Sequence, residues 1–296
     1  MKRKKSLTLC IILCAALFTV ACANGGINDP ETGEIHLTNK LDQYIDGVYL
    51  AYGDYYNEAG LLPAMELTVK GSVITRVRFD YFDQKGQAYS TREKPEELEE
   101  VQVFRAERKS MNSALLQTQS ASSLRGMFTS PFADDYVSLA ARLVKNAEEG
   151  NAQPVRVIFS RSYKAAAPAN EYGYTPQLTV DFTGKYITSI QFLQLNEEDR
   201  DIIALEDYIE PFTQKTGVAY RDLVKKLCTI PNDKTTLKKE PEVEGAEELY
   251  DLYNKMAEDI LKMHLPFELD PQSLFSSNSV SSSHSSSSAA YRSMRA

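Results

Sequence analysis

The sequence predicts an α+β fold of two tandem repeats, each a small, mostly antiparallel sheet with helices packed on one face. Three observations lead there. Sliding the chain by 113 positions lays Pro63, Met65, Leu67, Gly71, Ile74, Thr75, Val77 and Phe79 on Pro176, Leu178, Val180, Gly184, Ile187, Thr188, Ile190 and Phe192, without a gap. Each copy is an alternating run, a Gly-containing turn and a second alternating run, the pattern of an antiparallel hairpin with one buried face. The same shift aligns two amphipathic stretches, Tyr136, Leu139, Ala140 and Leu143 under Leu249, Leu252, Tyr253 and Met256. With 296 residues and 43% hydrophobic content, there is material for two modest cores.

The first residues belong to neither repeat. Lys2, Arg3, Lys4 and Lys5 form a basic head, residues 7–20 an apolar body, and Thr19-Val20-Ala21-Cys22 a small-residue cleavage site. The apolar body is shorter than the ~20 residues that span a bilayer. With Cys22 directly after Val20-Ala21, the stretch resembles a bacterial lipobox, in which the cysteine is acylated and anchors the mature chain by its lipid. The usual Leu three residues before the cysteine is Thr19 here. The alternative is an ordinary signal peptide. The expected layout is a signal at 1–21, a tether at 22–42, module one at 43–152, module two at 153–268 and a disordered serine-rich tail at 269–296.

Cleavage before Cys22 removes four positive charges and no negative ones, taking the formal net charge from −8 to −12. An acidic chain argues against nucleic acid as a partner, since a basic face is needed to replace phosphate counterions, and against adhesion to anionic headgroups. Only Cys22 and Cys228 remain, so no intramolecular disulfide is expected.

Within module one, Asp46-Gly47-Val48-Tyr49 reads as a turn feeding a strand, followed by a Tyr-rich loop at 53–60 and the hairpin. In the second arm Arg76, Arg78 and Asp80 alternate with Val77 and Phe79, which predicts one wet face. A helix is expected around 105–116, a Ser/Thr-rich loop at 117–130, and a helix from Asp134 to about Glu148 ended by Gly150. Module two is expected to open with a strand carrying Val155, Val157 and Phe159, then the hairpin, a helix at 219–227 and a final helix at 246–263.

The Asp-Gly-x-Tyr strand opening, the loop, and the arms around Lys70-Gly71-Ser72 and Ile74-Thr75 resemble the FMN-binding domain family of extracytoplasmic proteins, which includes flavin-bearing subunits of the Rnf and Nqr complexes and tandem-domain lipoproteins. The resemblance implies the fold, an envelope location, and redox or envelope proteins as partners. In that family a transferase esterifies FMN onto the Thr of Asp-x-x-Gly/Ser-Ala-Thr at the start of the last helix. Here Glu247 stands in that slot after Gly245-Ala246, and Asp134 stands there in module one. A carboxylate cannot form that phosphoester and repels the phosphate; as first-turn acids both suit the helix dipole. The expectation is a membrane-anchored ligand-binding or accessory lipoprotein, not an enzyme, without covalent flavin. The alternative is an electron carrier holding FMN noncovalently, or through Ser130 or Thr129, with Tyr49, Tyr174, Gly245 and Ala246 as candidate contacts.

Other chemistry finds little support. His36, His264 and His284 have no His or Cys at ligand spacing and read as solvated. No Gly-x-Ser-x-Gly, dinucleotide fingerprint or Walker-type loop occurs. The carboxylates of Glu96-Glu97 and Glu99-Glu100 read as a solvated face.

Overall fold

The computed structural model describes residues 43–276 and two short strands before them, β1 (Ile27–Asn28) and β2 (Ile35–His36). The chain divides into a unit at Met1–Lys40 and a unit at Leu41–Ala296. In the first, β1 and β2 pair antiparallel, with Ile27 opposite His36, so part of the stretch expected to be a plain tether is strand. The signal, Cys22 and the serines beyond 276 lie outside the described residues.

In the second unit, β3 (Gly47–Gly53), β4 (Leu62–Lys70) and β5 (Val73–Phe82) form an antiparallel meander. Then come α1 (Leu98–Thr118), α2 (Ala133–Glu149) and β6 (Val155–Val157). The second copy follows as β7 (Ser160–Ala166), β8 (Thr175–Thr183), β9 (Tyr186–Leu195), α3 (Glu206–Thr216), α4 (Tyr220–Leu227) and α5 (Glu247–Met263). The shift of 113 carries β3, β4 and β5 onto β7, β8 and β9 residue for residue, bulges included, at Thr68/Val69 and Asp181/Phe182. It also carries α2 onto α5 within one residue.

The loops repeat as well. Asn57 Oδ1 accepts the Leu61 amide at 2.9 Å, and Asn170 Oδ1 accepts the Tyr174 amide at 3.0 Å. The third residue past each asparagine is a glycine at positive φ, Gly60 at 70° and Gly173 at 78°. A side-chain amide that closes a turn by a backbone hydrogen bond contributes about 1 kcal/mol. Asn57→Ala and Asn170→Ala should therefore each lower stability by about 1–2 kcal/mol in urea unfolding, leaving the fold intact.

Several expectations are corrected. The strand at 155–157 does not open module two: β6 pairs parallel with β3, completing the order β5-β4-β3-β6, while β7-β8-β9 form the second sheet. Alternation in the sequence marks a strand but not its partner, and β7 is the true counterpart of β3. Helix α1 begins at Leu98, seven residues before the expected start, with Glu99 and Glu100 in its first turn. Its counterpart in module two is broken: α3, absent from the sequence expectation and with Pro211 inside it, ends at Gly217 with φ 69°, and α4 starts afresh.

The polar face of the first hairpin is covered at its Asp80–Phe82 end, while Arg76 stays exposed. Residues 264–276 return from α5 across module one, where Phe267, Leu274 and Phe275 are buried with Leu50, Leu62, Ala64 and Phe82. This segment includes the start of the stretch expected to be disordered. Asp80 lies beneath α1, accepting from the Ser90 and Tyr81 amides at 3.1 and 3.0 Å and from Ser90 Oγ and Arg108. Burial pushes its carboxyl up, against the hydrogen bond from Ser90 and the Arg108 charge.

Each module keeps its own core between sheet and helices. In the first, Met65, Leu67 and Phe79 meet Phe104, Met111, Tyr136 and Leu139; in the second, Leu178, Val180 and Phe192 meet Leu223, Tyr253 and Met256. The modules then lock together. Asp54 Oδ1 accepts the Phe159 amide at 3.2 Å, the Phe267 amide donates to the Asp54 carbonyl at 2.9 Å, and Tyr163 Oη donates to the Tyr56 carbonyl. Among the described residues no helix is long and apolar enough to cross a membrane.

Candidate functional site

The turn before α5 sets the site. Gly245 has φ 83°, and a Cβ there would stand 3.2 Å from the Lys215 carbonyl oxygen, so glycine lets the turn lie against the end of α3. The Gly-Ala pair is thus explained by close packing. Between this turn, α3 and the Asn170 loop opens a cleft of about 420 Å³. Its apolar wall is Tyr172, Tyr208, Phe212, Leu249 and Leu252, and its polar rim includes Asn170, Gln194, Lys215 and Glu248.

The aromatic rings are held in place. Tyr172 meets Tyr208 edge-on with centroids 5.6 Å apart, and Tyr208 and Phe212 both pack edge-on against Tyr220, at 5.5 and 5.2 Å. Gln194 donates to Tyr220 Oη at 2.6 Å and accepts from Asn170 Nδ2 at 3.3 Å. Burial raises the Tyr208 phenol above its ordinary value. Tyr172 is 43% exposed at the mouth. Flat apolar walls with a few amide groups beside them suit a ring-bearing ligand stacked against an aromatic face.

Glu247 occupies the end of α5 in a particular way. Its carboxylate accepts the Gly245 amide at 2.9 Å, and hydrogen bonds from its own amide and from that of Gly245 hold it below the usual carboxylate range. The negative charge that a phosphate would bring to this helix end is already supplied by the chain.

At the matching place in module one the space is filled by described residues: Phe132 stands where module two has Gly245. Phe132 packs edge-on against Phe104 and Tyr81, with centroids at 4.9 and 5.6 Å. Asp135, the counterpart of Glu248, is buried and gripped by Arg161 from β7. The repeat therefore keeps one cleft open and has closed the other with its own side chains.

The remaining candidate residues are placed as follows. Asp134 is exposed in the first turn of α2, beside a shallow depression of about 310 Å³. Ser130 accepts the Phe132 amide at 3.1 Å and donates to Glu107, which commits its hydroxyl to the helix entry. Tyr49 is buried in the first core, donating to the Ile45 carbonyl at 2.6 Å, and Tyr174 is buried in the second. Of the named candidates, Gly245 and Ala246 line the cleft. Tyr208, Phe212 and Lys215 are absent from the sequence reading, although their i, i+4, i+7 spacing is a helical signal.

His264 is not solvated. It is stacked between Phe182 and Tyr55, at 3.8 and 4.1 Å, with Nε2 3.0 Å from the Gly184 carbonyl. Among the described residues, no group of three or more His, Cys, Asp or Glu is placed to hold a metal ion.

No family model matches the chain, and no curated protein matches it. Among solved structures, the CPE2226 protein from Clostridium perfringens is similar over 38% of this chain and 98% of its own, at 19% identity and a TM-score of 0.32. A likeness at that level carries no argument about fold or function.

Proposed function

We propose that this chain is an extracytoplasmic lipoprotein, anchored through Cys22, whose second module binds a ring-bearing ligand noncovalently while the first serves as its scaffold. The observation that carries this reading is the asymmetry of the repeat: Gly245 leaves an aromatic cleft open where Phe132 and Arg161 fill its counterpart. The lipid anchor rests on the Val20-Ala21-Cys22 stretch alone. Asp134 and Glu247 in the acceptor slots support the absence of a covalent flavin.

The aromatic walls also favour a second reading, an electron carrier with FMN held noncovalently in the same cleft. The protein purified from its native host separates the two. A colourless preparation whose intact mass shows no FMN adduct supports the ligand-binding reading; a flavin spectrum that disappears from the protein on denaturation supports the carrier; colour retained by the denatured chain overturns both. Added riboflavin should bind at least as tightly as FMN, because Glu247 already neutralises the helix end, and Tyr172→Ala should weaken it by about tenfold, the loss of one stacked ring. Titration by flavin fluorescence reads both effects.

A further inference from the structure

Module one carries a second, chemically different groove. It has a volume of about 540 Å³ and lies between the edge strand β5 and α1. Strand β5 contributes Arg76 and Arg78, two apart and therefore on one face; α1 contributes Arg105, Arg108 and Lys109, at the i, i+3, i+4 spacing of one helical stripe. Five cations line one groove in a chain whose formal net charge is −8.

Two of them are committed to structure. Arg108 pairs with buried Asp80 and donates to the Phe79 carbonyl at 3.4 Å. Arg78 pairs with Glu66 at 3.3 Å and donates to the Phe275 carbonyl at 2.7 Å. The other three have no carboxylate partner among the described residues. Arg105 donates only to backbone carbonyls, those of Ser90 at 2.7 Å and Arg92 at 3.4 Å, while Arg76 and Lys109 are exposed. Asp80, the acid among the lining residues, is already paired with Arg108, and Arg78 is paired with Glu66 of β4, which leaves the charges of Arg76, Arg105 and Lys109 uncompensated.

The fold does not require this charge. At the shift of 113, Arg76, Arg78, Arg105 and Lys109 become Ser189, Gln191, Val218 and Asp222; module two builds the same hairpin with Ser189 and Gln191, and packs α3 and α4 beside it without the other two cations. Like charges gathered in a concave site repel one another unless an anion is present, and arginine favours oxyanions because its planar fork bonds two oxygens at once. The groove also has room for more than a single ion.

We infer that this groove is a binding site for a phosphate-bearing ligand, held by Arg76, Arg105 and Lys109, and independent of the aromatic cleft. The phosphate arrives either on a soluble phosphorylated solute or as the phosphodiester of an anionic lipid headgroup. The full chain carrying Cys22→Ser, so that no acyl group drives membrane association, is titrated with pyrophosphate by calorimetry and floated with phosphatidylglycerol or phosphatidylcholine vesicles. Pyrophosphate binding is expected to weaken by at least about tenfold in Arg76→Gln/Arg105→Gln/Lys109→Gln and to fall with added salt. In the control Arg142→Gln/Lys145→Gln/Lys255→Gln, which removes equal charge elsewhere, it should change by less than about twofold. The variant Arg76→Gln/Lys109→Gln touches only exposed side chains; its loss should be about threefold or more, which guards against misfolding as the cause. Flotation with phosphatidylglycerol alone, abolished in the triple variant, assigns the lipid source; pyrophosphate binding without flotation assigns the soluble one. Binding of neither probe, or binding that the triple variant retains, overturns the site. Tyr172→Ala should leave every one of these readings unchanged.

Discussion

Arg161→Met is expected to lower the unfolding free energy by about 3–5 kcal/mol, more than the loss of any single hydrogen bond would explain. The Arg161 guanidinium donates through Nη1 and Nη2 to the two oxygens of Asp135, both at 2.9 Å, and Tyr81 Oη donates to the same carboxylate at 2.8 Å. Side-chain exposure is only 14% for Arg161 and 9% for Asp135. Burial works against the Arg161 charge, but the hydrogen bonds and the charge of Asp135 outweigh it and hold the guanidinium protonated. Removing the arginine leaves a buried carboxylate with one phenol for a partner. Removing the carboxylate instead leaves a buried cation whose Nε has no partner even now. Asp135→Ala should therefore cost as much. The double variant Asp135→Leu/Arg161→Met removes both charges and should recover all but about 1–2 kcal/mol. Urea unfolding of the three variants provides the cycle, and a cost below about 1 kcal/mol for Arg161→Met would show that the pair does not hold the modules together.

The location of this pair explains why so much of the architecture was visible in the sequence and so little of its assembly. Alternation and the Gly-containing turns at Gly71 and Gly184 fix hairpins through local physics, and the shift of 113 then fixed β4, β5, β8 and β9 and both terminal helices. Partner choice between strands is a long-range matter. Val155 and Val157 read correctly as strand, yet nothing local says that they pair with Ala51 and Gly53 rather than with β8. Asp80 read as solvated because its alternation puts it opposite Phe79, and only the return of residues 264–276 and the packing of α1 cover that face. At the site, Gly245 and Ala246 were legible as a motif, but their physical role depends on Lys215, thirty residues earlier. Helix α3 was not read from the sequence, although Tyr208 and Phe212 on it form part of the cleft's aromatic wall.

His264 is where the second large effect is expected. Its ring fills a slot made by Phe182 from module two and Tyr55 from module one, with Tyr163 edge-on at 5.2 Å, so His264→Ala should cost about 3 kcal/mol, near the lower end for loss of a buried aromatic ring. The pH dependence sharpens the prediction. Burial lowers the His264 pKa, and the hydrogen bond to the Gly184 carbonyl opposes this only in part. The folded protein therefore binds this proton less readily than the unfolded chain, whose histidine titrates near pH 6.5. The contribution of His264 is complete above about pH 6.5 and is lost as the pH falls from there through the lower folded value. Asp54, whose folded pKa is raised by burial, acts in the opposite direction, and equally in both proteins compared below. His264→Phe keeps the stacked ring and drops the proton and the hydrogen bond. It should cost about 1–2 kcal/mol near pH 7.5 and show a flatter stability profile between about pH 5 and 7. Chemical denaturation across that interval tests it: equal slopes for the two proteins would mean that the imidazole stays accessible to protons in the fold. The expected difference in slope follows from the burial of His264, which Gly184 helps to arrange. That residue turns the repeated hairpin in module two, and its carbonyl faces His264 while a Cβ on it would stand 3.2 Å from Asp54 of module one. A turn that in the first copy is held by Asp46 of its own module, with open space at Gly71, has become in the second one of the contacts through which the two copies are joined.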